Sequence, residues 1–519
     1  MRWSLRDSMQ WAHTWGGVAT GLLLMVAFLM GSIAVFDREL DRWMMPDTRL
    51  PAPTHAVSLD RVVAPLVQQA APPGGQVLQW LADLPDARDP SLALAIDGRP
   101  FGRVLRLADP HTGTLLPDPG TLGATRFFYP LHYNLHLRAA DLGAWLIGFA
   151  GMVMLACIVS GVIIHARLFK DFFTFRPGKN LQRSVLDLHN VMGVLALPFH
   201  FVITFSGLVI FFLIYLPSAI QALYPEGPNT FYTQWLSRYD RPPAMKPAPL
   251  SSLDAMVAEA QRVWGGGQAA SVRVRYPGDA NAYVEIRRSV QDGIGRGFEP
   301  VYFDGPSGAV LQTAPAMPVT SVQRFMVELH SVTFDSDVLR WLYFLGGLAG
   351  CVLIATGMLY WVEKRRARHA QQGRLGAALV AGVACAAITG LILATLAMLL
   401  ANRALPPHMA ARQWIEVLVF CGAWLLAALH GIVGALRRRD GSAPWRMQCA
   451  TIAALALACV VGNALSTGDH LVRTVARGDW AVAGTDFVLL ATAAVAAWAA
   501  RRLALRERAY RSVGEARHA

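Results

Sequence analysis

Residues 12–36 read AHTWGGVATGLLLMVAFLMGSIAVF, an apolar run long enough to cross a bilayer as one helix. Seven other stretches share this character, and the eight predicted spans are residues 12–36, 141–165, 186–216, 338–362, 375–400, 413–436, 448–466 and 481–500. Of the 519 residues, 54% are hydrophobic and 16% are charged, and the mean hydropathy is +0.36. The sequence therefore predicts an all-α polytopic membrane protein.

Basic residues fall in alternate connections between these spans. They are Arg2 and Arg6; Arg167, Lys170, Arg176, Lys179 and Arg183; Lys364, Arg365, Arg366 and Arg368; Arg437, Arg438 and Arg439; and Arg501, Arg502, Arg506 and Arg508. Because basic loops stay in the cytoplasm, we predict a bacterial inner-membrane protein with both termini cytoplasmic. This topology accounts for the net charge of +12, so no nucleic acid partner is predicted.

Two long connections lie on the side opposite the basic loops, which is the periplasm. Each has a helical opening, strand-like segments and a hairpin with a Gly turn, so each is predicted to be a small α+β domain. The predicted organisation is span 1 (1–36), module 1 (37–140), span 2 (141–166), a cytoplasmic basic loop (167–185), span 3 (186–216), module 2 (217–337), span 4 (338–363) and a four-span extension (370–519).

The first half of the chain resembles the second, up to about residue 365. The modules open alike, with Ser58-Leu59-Asp60 in one and Ser252-Leu253-Asp254 in the other. The flanking spans also match: His13 precedes Gly31 by 18 residues as His189 precedes Gly207, and Leu131-His132 leads to Ser160-Gly161 as Leu329-His330 leads to Thr356-Gly357. We therefore predict an internal repeat of helix, module and helix.

Four repeat-related histidines stand at predicted helix ends. His13 and His189 lie near the cytoplasmic face, and His132 and His330 near the opposite face. Haem iron accepts two axial imidazoles from facing helices at matching depth, and small residues such as Gly16, Gly17 and Gly193 leave room for the ring. The pattern predicts two haems, one held by His13 and His189 and the other by His132 and His330.

Three more histidines are candidates for cofactor binding. His136 follows His132 by four residues, and His165 ends the second span. His200 lies inside the third span, and an 11-residue gap places it about 16 Å beyond His189 on the same face of a straight helix. Pro198 predicts a kink beside it.

Three segments resemble the PepSY-associated transmembrane family, and the resemblance covers about residues 5 to 365. They are Pro130-Leu131-His132-Tyr133-Asn134-Leu135-His136-Leu137, the loop from Phe169 to Lys179, and Leu186-Asp187-Leu188-His189-Asn190 running to Leu197-Pro198-Phe199-His200. The family includes iron-regulated inner-membrane ferric-siderophore reductases.

The resemblance implies PepSY-like periplasmic modules and b-type haem at two levels, held by His13, His132, His189 and His330 with His136 added in this branch. It also implies outward electron transfer that reduces Fe(III) in a siderophore, because hard oxygen ligands hold Fe(II) far less tightly. The cytoplasmic loops are too short for a dinucleotide-binding fold and carry no G-x-G-x-x-G, so the electron donor is expected to be a partner protein, a quinol or a diffusible reductant.

The extension at 370–519 departs from the common family pattern. His430 lies near its cytoplasmic side and His408 and His470 on the other, so a further cofactor or quinol site and a packing or oligomerisation unit are both open interpretations.

Two other functions are consistent with the sequence. One is a permease for iron, haem or a siderophore, although the spans offer few carboxylates beyond Asp187, Glu416 and Asp486. The other is a membrane-anchored sensory or peptidase-binding protein, for which repeated histidines are not needed.

Overall fold

The structure is a computed structural model that describes residues 4–53, 55–165, 181–236, 238–290, 299–313, 318–333, 336–372, 375–437 and 443–518. The chain divides into two compact units. The first comprises Met1–Met44, Gly120–Leu208 and Arg340–Ala519, and the second comprises Met45–Pro119 and Val209–Leu339. The segments 37–44 and 120–140, which the sequence analysis grouped with the first periplasmic module, thus belong to the unit that contains the long apolar helices.

The first unit is helical. Its helices are α1 (Leu5–Ala34), α2 (Asp37–Met44), α4 (Phe128–Asn134), α5 (Leu142–Ile164), α6 (Leu181–Leu195), α7 (Leu197–Ile210), α13 (Asp337–Gln372), α14 (Leu375–Cys385), α15 (Leu391–Ala404), α16 (Arg412–Leu436), α17 (Ala443–Thr467), α18 (Leu471–Ala476) and α19 (Trp480–His518). α7 ends in the second unit and α13 begins there. A wider helical turn at Ala386–Gly390 joins α14 to α15.

Seven helical spans among the described residues are long and apolar enough to cross a membrane. They are Leu5–Ala34, Ala139–Ile164, Asp337–Arg365, Ala378–Ala404, Arg412–Leu436, Ala443–Thr467 and Trp480–Arg508. The pair α6 and α7 makes an eighth candidate if it counts as one span. The prediction of a polytopic membrane protein is therefore confirmed.

The predicted third span is broken rather than straight. α6 and α7 meet at an angle of 66°. Pro198 is the second residue of α7, where its ring would collide with the carbonyl four residues earlier in a continuous helix and its nitrogen has no hydrogen to donate to that carbonyl. The separation of His189 and His200 expected from a straight helix therefore does not apply.

The second unit contains one antiparallel sheet flanked by short helices. Its helices are α3 (Ala64–Ala70), α8 (Phe212–Tyr215), α9 (Pro217–Leu223), α10 (Pro228–Leu236), α11 (Leu253–Val263) and α12 (Pro318–Ser331), and a wide helical turn at Leu59–Val63 leads into α3. The strands are β1 (Gln76–Asp83), β2 (Leu92–Arg99), β3 (Gly102–Asp109), β4 (Thr114–Leu115), β5 (Ala269–Arg275), β6 (Tyr283–Arg288), β7 (Pro300–Asp304) and β8 (Val310–Thr313).

The strands from both long connections form a single sheet of order β4-β3-β2-β1-β5-β6-β7-β8. β1 pairs with β5, with Leu81 opposite Arg273 at the centre of the pairing. The two predicted α+β modules thus share one sheet. One hydrophobic core contains side chains of both, including Leu59, Val63, Leu253 and Met256.

The helical openings of the two halves cap one another. Asp254 accepts hydrogen bonds from the Ser58 hydroxyl (2.5 Å) and the Leu59 amide (2.6 Å). Asp60 in turn accepts from the Ser252 hydroxyl (2.6 Å) and from the Leu253 amide (2.8 Å). Each aspartate thus satisfies the free amides at the start of the opposite helix.

Candidate functional site

His13 and His189 are held in the same way by two different helices. Nδ1 of His13 donates to the carbonyl of Cys157 in α5 (2.9 Å), and Nδ1 of His189 donates to the carbonyl of Leu353 in α13 (2.9 Å). A carbonyl oxygen can only accept, so Nδ1 carries the hydrogen in both rings. Nε2 of each imidazole is left with its lone pair, which is the arrangement found for histidines that ligate a metal.

A hydroxyl supports each of these hydrogen bonds. Ser160 Oγ lies 3.2 Å from Nδ1 of His13, and Thr356 Oγ1 lies 3.3 Å from Nδ1 of His189. The next residue in each helix is a glycine. An added Cβ at Gly161 would come within 3.3 Å of Cε1 of His13, and one at Gly357 within 3.2 Å of Cε1 of His189. The Ser160-Gly161 and Thr356-Gly357 pairs therefore pack against the imidazoles of His13 and His189.

The two imidazoles face each other. Their ring centroids are 6.2 Å apart and the ring planes are at 89°. A metal–nitrogen bond of about 2 Å and an imidazole radius of about 1.1 Å put the centroids of two axial imidazoles about 6 Å apart. The pair thus fits the spacing of two ligands on one haem iron.

The glycines expected to leave room for a porphyrin behave differently from one another. A Cβ at Gly17 would meet nothing within 4 Å, whereas one at Gly16 would lie 3.0 Å from Cγ1 of Val153. A Cβ at Gly193 would lie 3.4 Å from Cδ1 of Leu353. Gly17 therefore borders open space beside the histidine pair, and the other two glycines allow close packing of helices.

His132 repeats the pattern on α4. Its Nδ1 donates to the carbonyl of Ala27 in α1 (2.7 Å), so Nδ1 carries the hydrogen in this ring as well. An added Cβ at Gly31 would lie 2.9 Å from both Nδ1 and Cε1 of His132, so the ring packs directly on that glycine. Burial lowers the pKa of His132, and this favours the neutral imidazole that ligates metals.

His136 and His200 use the other ring nitrogen. Nε2 of His136 donates to the carbonyl of Phe127 (2.9 Å), and the ring stacks on that phenylalanine at 5.2 Å. Burial lowers the pKa of His136, which also favours a neutral ring. Nε2 of His200 donates to the carbonyl of Gly346 (3.3 Å), and Phe28 lies edge-on at 5.6 Å. Only Nδ1 of these two residues is left to bind a metal.

Two further predicted ligands are His330 and His165. His330 is near the end of α12, in the second compact unit, and His165 follows the last residue of α5. The structure thus brings together His13 and His189, and it gives His132 the same hydrogen-bonded state.

The carboxylates considered for a permease pathway have partners. Glu416 and Asp486 are both 0% exposed. Glu416 forms an ion pair with Arg412 (3.2 Å), and Asp486 accepts from the Trp43 indole (2.8 Å). Asp187 forms an ion pair with Arg183 (3.0 Å). Two of these contacts lie within one helix and the third joins α2 to α19, and none of the three singles out a proton pathway.

Sequence reasoning also missed a buried network at one end of α16. Arg412 and Glu416 are four residues apart inside an apolar stretch, and this spacing is itself a sign of an ion pair. Of the further partners of Glu416, Thr121 lies 295 residues away in the chain and Asn402 lies 14 residues away, and neither carries a recognisable sequence signal.

The histidines of the extension have local contacts. His430 Nδ1 lies 3.5 Å from Nε2 of Gln448, and Nδ1 of His470 accepts from the Arg473 amide at the start of α18 (3.3 Å). His408 is exposed. Within the residues that the structure describes, no three His, Cys, Asp or Glu side chains cluster as in a site for a bare metal ion.

A helical unit with seven or eight candidate spans and a second unit built on an eight-stranded sheet define a multi-span membrane protein with a large domain between its spans. The chain belongs to the PepSY-associated TM region family, which matches residues 10–364. It is also similar to the uncharacterized protein PA4219 of Pseudomonas aeruginosa, with 26% identity over 386 residues that cover 69% of this chain and 90% of that protein. The family assignment made from the histidine motifs is thus confirmed.

Proposed function

We propose that this protein is a haem-containing inner-membrane reductase that passes electrons outward to Fe(III) in a periplasmic siderophore. The observation that carries the proposal is the facing pair His13 and His189, with centroids 6.2 Å apart and each Nδ1 donated to a helix carbonyl. Bound b-type haem would supply one-electron redox chemistry. The two imidazoles would hold the iron, and the hydrogen bond from each Nδ1–H fixes the tautomer that presents Nε2 to it.

A second haem, at the opposite face, would use His132 with His330 as its partner. His132 supports this assignment because its Nδ1 is donated to the Ala27 carbonyl, as the Nδ1 atoms of His13 and His189 are donated to Cys157 and Leu353. His136 is the alternative ligand at this level, through Nδ1. His165 and His200 are weaker candidates, and His200 would also have to use Nδ1.

The proposed function includes an orientation in the membrane and an assignment of the sheet to two repeated modules. The basic residues of alternate connections favour cytoplasmic termini and a periplasmic sheet unit. The reciprocal capping by Asp60 and Asp254 supports two repeated PepSY-like modules joined through β1 and β5. The electron enters from a partner protein, a quinol or a diffusible reductant, and the ferric chelate accepts it to give Fe(II) and free siderophore.

The first test is haem content. The detergent-purified protein is expected to show reduced b-type α-bands and two haems per chain in a pyridine haemochrome assay. His189→Ala should lose the inner haem and His330→Ala the outer one, because each removes one axial ligand. The exposed His408→Ala serves as the matched control and should retain both.

The second test is turnover. Anaerobically reduced protein is mixed with a ferric hydroxamate complex and an Fe(II)-specific chromogenic chelator. Reoxidation of the haem bands together with formation of the Fe(II) complex is expected. Absence of haem in protein from haem-replete cells would rule out the reductase and favour the permease.

A further inference from the structure

The segment that carries His132 and His136 is held by the four-helix extension. We infer that the extension positions these histidines, so that α16 tunes the outer haem without touching it. The inference rests on the proposed function, because it assigns the outer haem to this segment. It gives a role to the part of the chain that extends beyond the family match at residue 364.

The first contact is a buried polar network at Thr121, just ahead of α4. The Thr121 hydroxyl donates to Oε2 of Glu416, and Nδ2 of Asn402 donates to Oε1 of the same carboxylate (3.0 Å). Arg412 completes the network as an ion pair with Glu416. A buried carboxylate is strongly destabilising once it loses a partner, so this network fixes the position of Thr121 relative to α15 and α16.

Close backbone approach reinforces this contact. Gly120 has a φ of +61°, and an added Cβ there would lie 2.6 Å from the carbonyl oxygen of Pro407. No side chain fits between the segment and the connection from α15 to α16. The start of the histidine segment therefore packs backbone against backbone on the extension.

The second contact is a series of aromatic rings. Phe420 lies one turn beyond Glu416 on the same face of α16, and its ring meets Phe127 edge-on with centroids 5.0 Å apart. Phe127 in turn stacks on His136 and accepts its Nε2–H. Phe420 is thus one ring removed from an imidazole at the proposed outer haem.

A third set of contacts closes the other side of the segment. Asp41 of α2 accepts from the Ala124 amide (2.5 Å), and Asp37 accepts from the Thr125 hydroxyl (3.2 Å). α2 is itself bound to the extension, because the Trp43 indole donates to Asp486 of α19 (2.8 Å). Arg403 of α15 also lies over the Trp43 ring at 4.9 Å. Residues 120–127 therefore pack between α16 and α2, and α2 itself contacts the extension.

The experiment compares two variants in the full-length protein. Thr121→Val removes the hydroxyl that bonds Glu416, and Phe420→Leu removes the ring edge that meets Phe127. Leu418→Ala is the matched control, since Leu418 lies between Glu416 and Phe420 on α16 but is 70% exposed. None of the three residues is a proposed haem ligand.

Two readouts are measured. The first is hydrogen exchange of residues 120–136, which Thr121→Val should accelerate about tenfold to a hundredfold because a buried hydrogen bond to a charged group is lost. The second is the electron paramagnetic resonance signal and midpoint potential of each ferric haem. The outer haem is identified by its loss in His132→Ala and the inner haem by its loss in His189→Ala.

Both variants should shift the outer-haem signal and leave the inner-haem signal unchanged, and Leu418→Ala should change neither. Unchanged exchange and unchanged spectra would overturn the inference, as would equal shifts of both haems, which indicate general loosening. Wild-type protein without haem would overturn the proposed function and the haem-tuning role together. The exchange measurement would still decide whether the extension holds the segment.

Discussion

At the scale of single residues, the choice of ring nitrogen separates the candidate histidines. His13, His132 and His189 each donate Nδ1–H to a carbonyl of another helix, and His136 and His200 donate Nε2–H instead. A hydrogen bond that fixes the tautomer also fixes the direction of the other ring nitrogen. For His13 and His189, Nε2 is therefore the nitrogen that the proposed haem iron would bind.

Gly31 gives a residue-scale prediction about the outer site. Gly31→Ala would place a methyl group 2.9 Å from two ring atoms of His132, and the ring can move away only by giving up its bond to the Ala27 carbonyl. We expect loss of the outer haem or a clear shift of its absorption band. The measurement is haem per chain together with the reduced spectrum.

Gly484→Ala in α19 is the matched control, since its methyl group would meet nothing within 4 Å and Gly484 lies at no proposed haem site. Replacing glycine by alanine in a helix stabilises it by up to about 1 kcal/mol, so this variant should bind haem normally and unfold no earlier than wild type. A Gly31→Ala protein with unaltered haem content and spectrum would show that His132 does not depend on this contact.

At the scale of elements, the two halves of the sheet unit depend on each other for their helix caps. Asp60 lies beside its own helix but accepts from the amides that start α11. An N-cap contributes about 0.5–2 kcal/mol, so the crossed arrangement makes the stability of each helix a property of the other half.

The crossed caps predict a crossed mutational effect. Asp60→Asn should accelerate hydrogen exchange at Leu253 and Asp254 and leave residues 59–63 near their wild-type rates. Partial burial raises the pKa of Asp60, but hydrogen bonds from Ser252, Leu253 and Asp254 outweigh it and leave the pKa below its usual 3.8. Because the folded-state pKa is lowered, the stabilisation is present at neutral pH and is lost as the pH falls below about 4.

Hydrogen exchange at neutral pH and under acid conditions checks this prediction, with Arg61→Ala as the neighbouring exposed control. The effect of Asp60→Asn should shrink in acid, where the wild-type carboxyl is itself protonated. Faster exchange at residues 59–63 instead of Leu253 and Asp254 would mean that each aspartate caps its own helix in solution.

The bend between α6 and α7 is a second feature at this scale. α6, which carries His189, and α7, which carries His200, meet at an angle of 66°. His189 therefore faces His13, while His200 packs between Phe28 and the Gly346 carbonyl. The two histidines of this broken span therefore have different neighbours.

At the scale of the whole molecule, the distribution of basic residues predicts the orientation in the membrane. Arg6→Cys should react with a membrane-impermeant maleimide only after the inner membrane is permeabilised, because the amino terminus is predicted to be cytoplasmic. Val310→Cys, in the exposed strand β8, should react in intact spheroplasts. Labelling is read as a mass shift of the purified chain.

The wild-type protein is the background control, since its six cysteines are free thiols that lie in the apolar helices. The reverse labelling pattern would invert the proposed direction of electron transfer. Equal labelling of both sites before permeabilisation would indicate that the spheroplasts were leaky, and the assay is then repeated with sealed vesicles of defined orientation.

The apolar spans, the family and the candidate histidines could be predicted from the sequence alone. These follow from local signals: runs of about 20 apolar residues, charge in the connections, and short motifs around His132, His189 and His200. The Ser160-Gly161 and Thr356-Gly357 pairs were visible too, and they proved to be contacts of His13 and His189.

Which strands and side chains contact each other depends on the tertiary structure. The joining of β1 to β5, the crossed caps of Asp60 and Asp254, and the network of Thr121 with Glu416 link residues about 190 to 300 positions apart, and hydrophobic periodicity carries no information on such pairings. The choice between Nδ1 and Nε2 likewise depends on which carbonyl a neighbouring helix presents, and that is set by packing between helices rather than by any local sequence pattern.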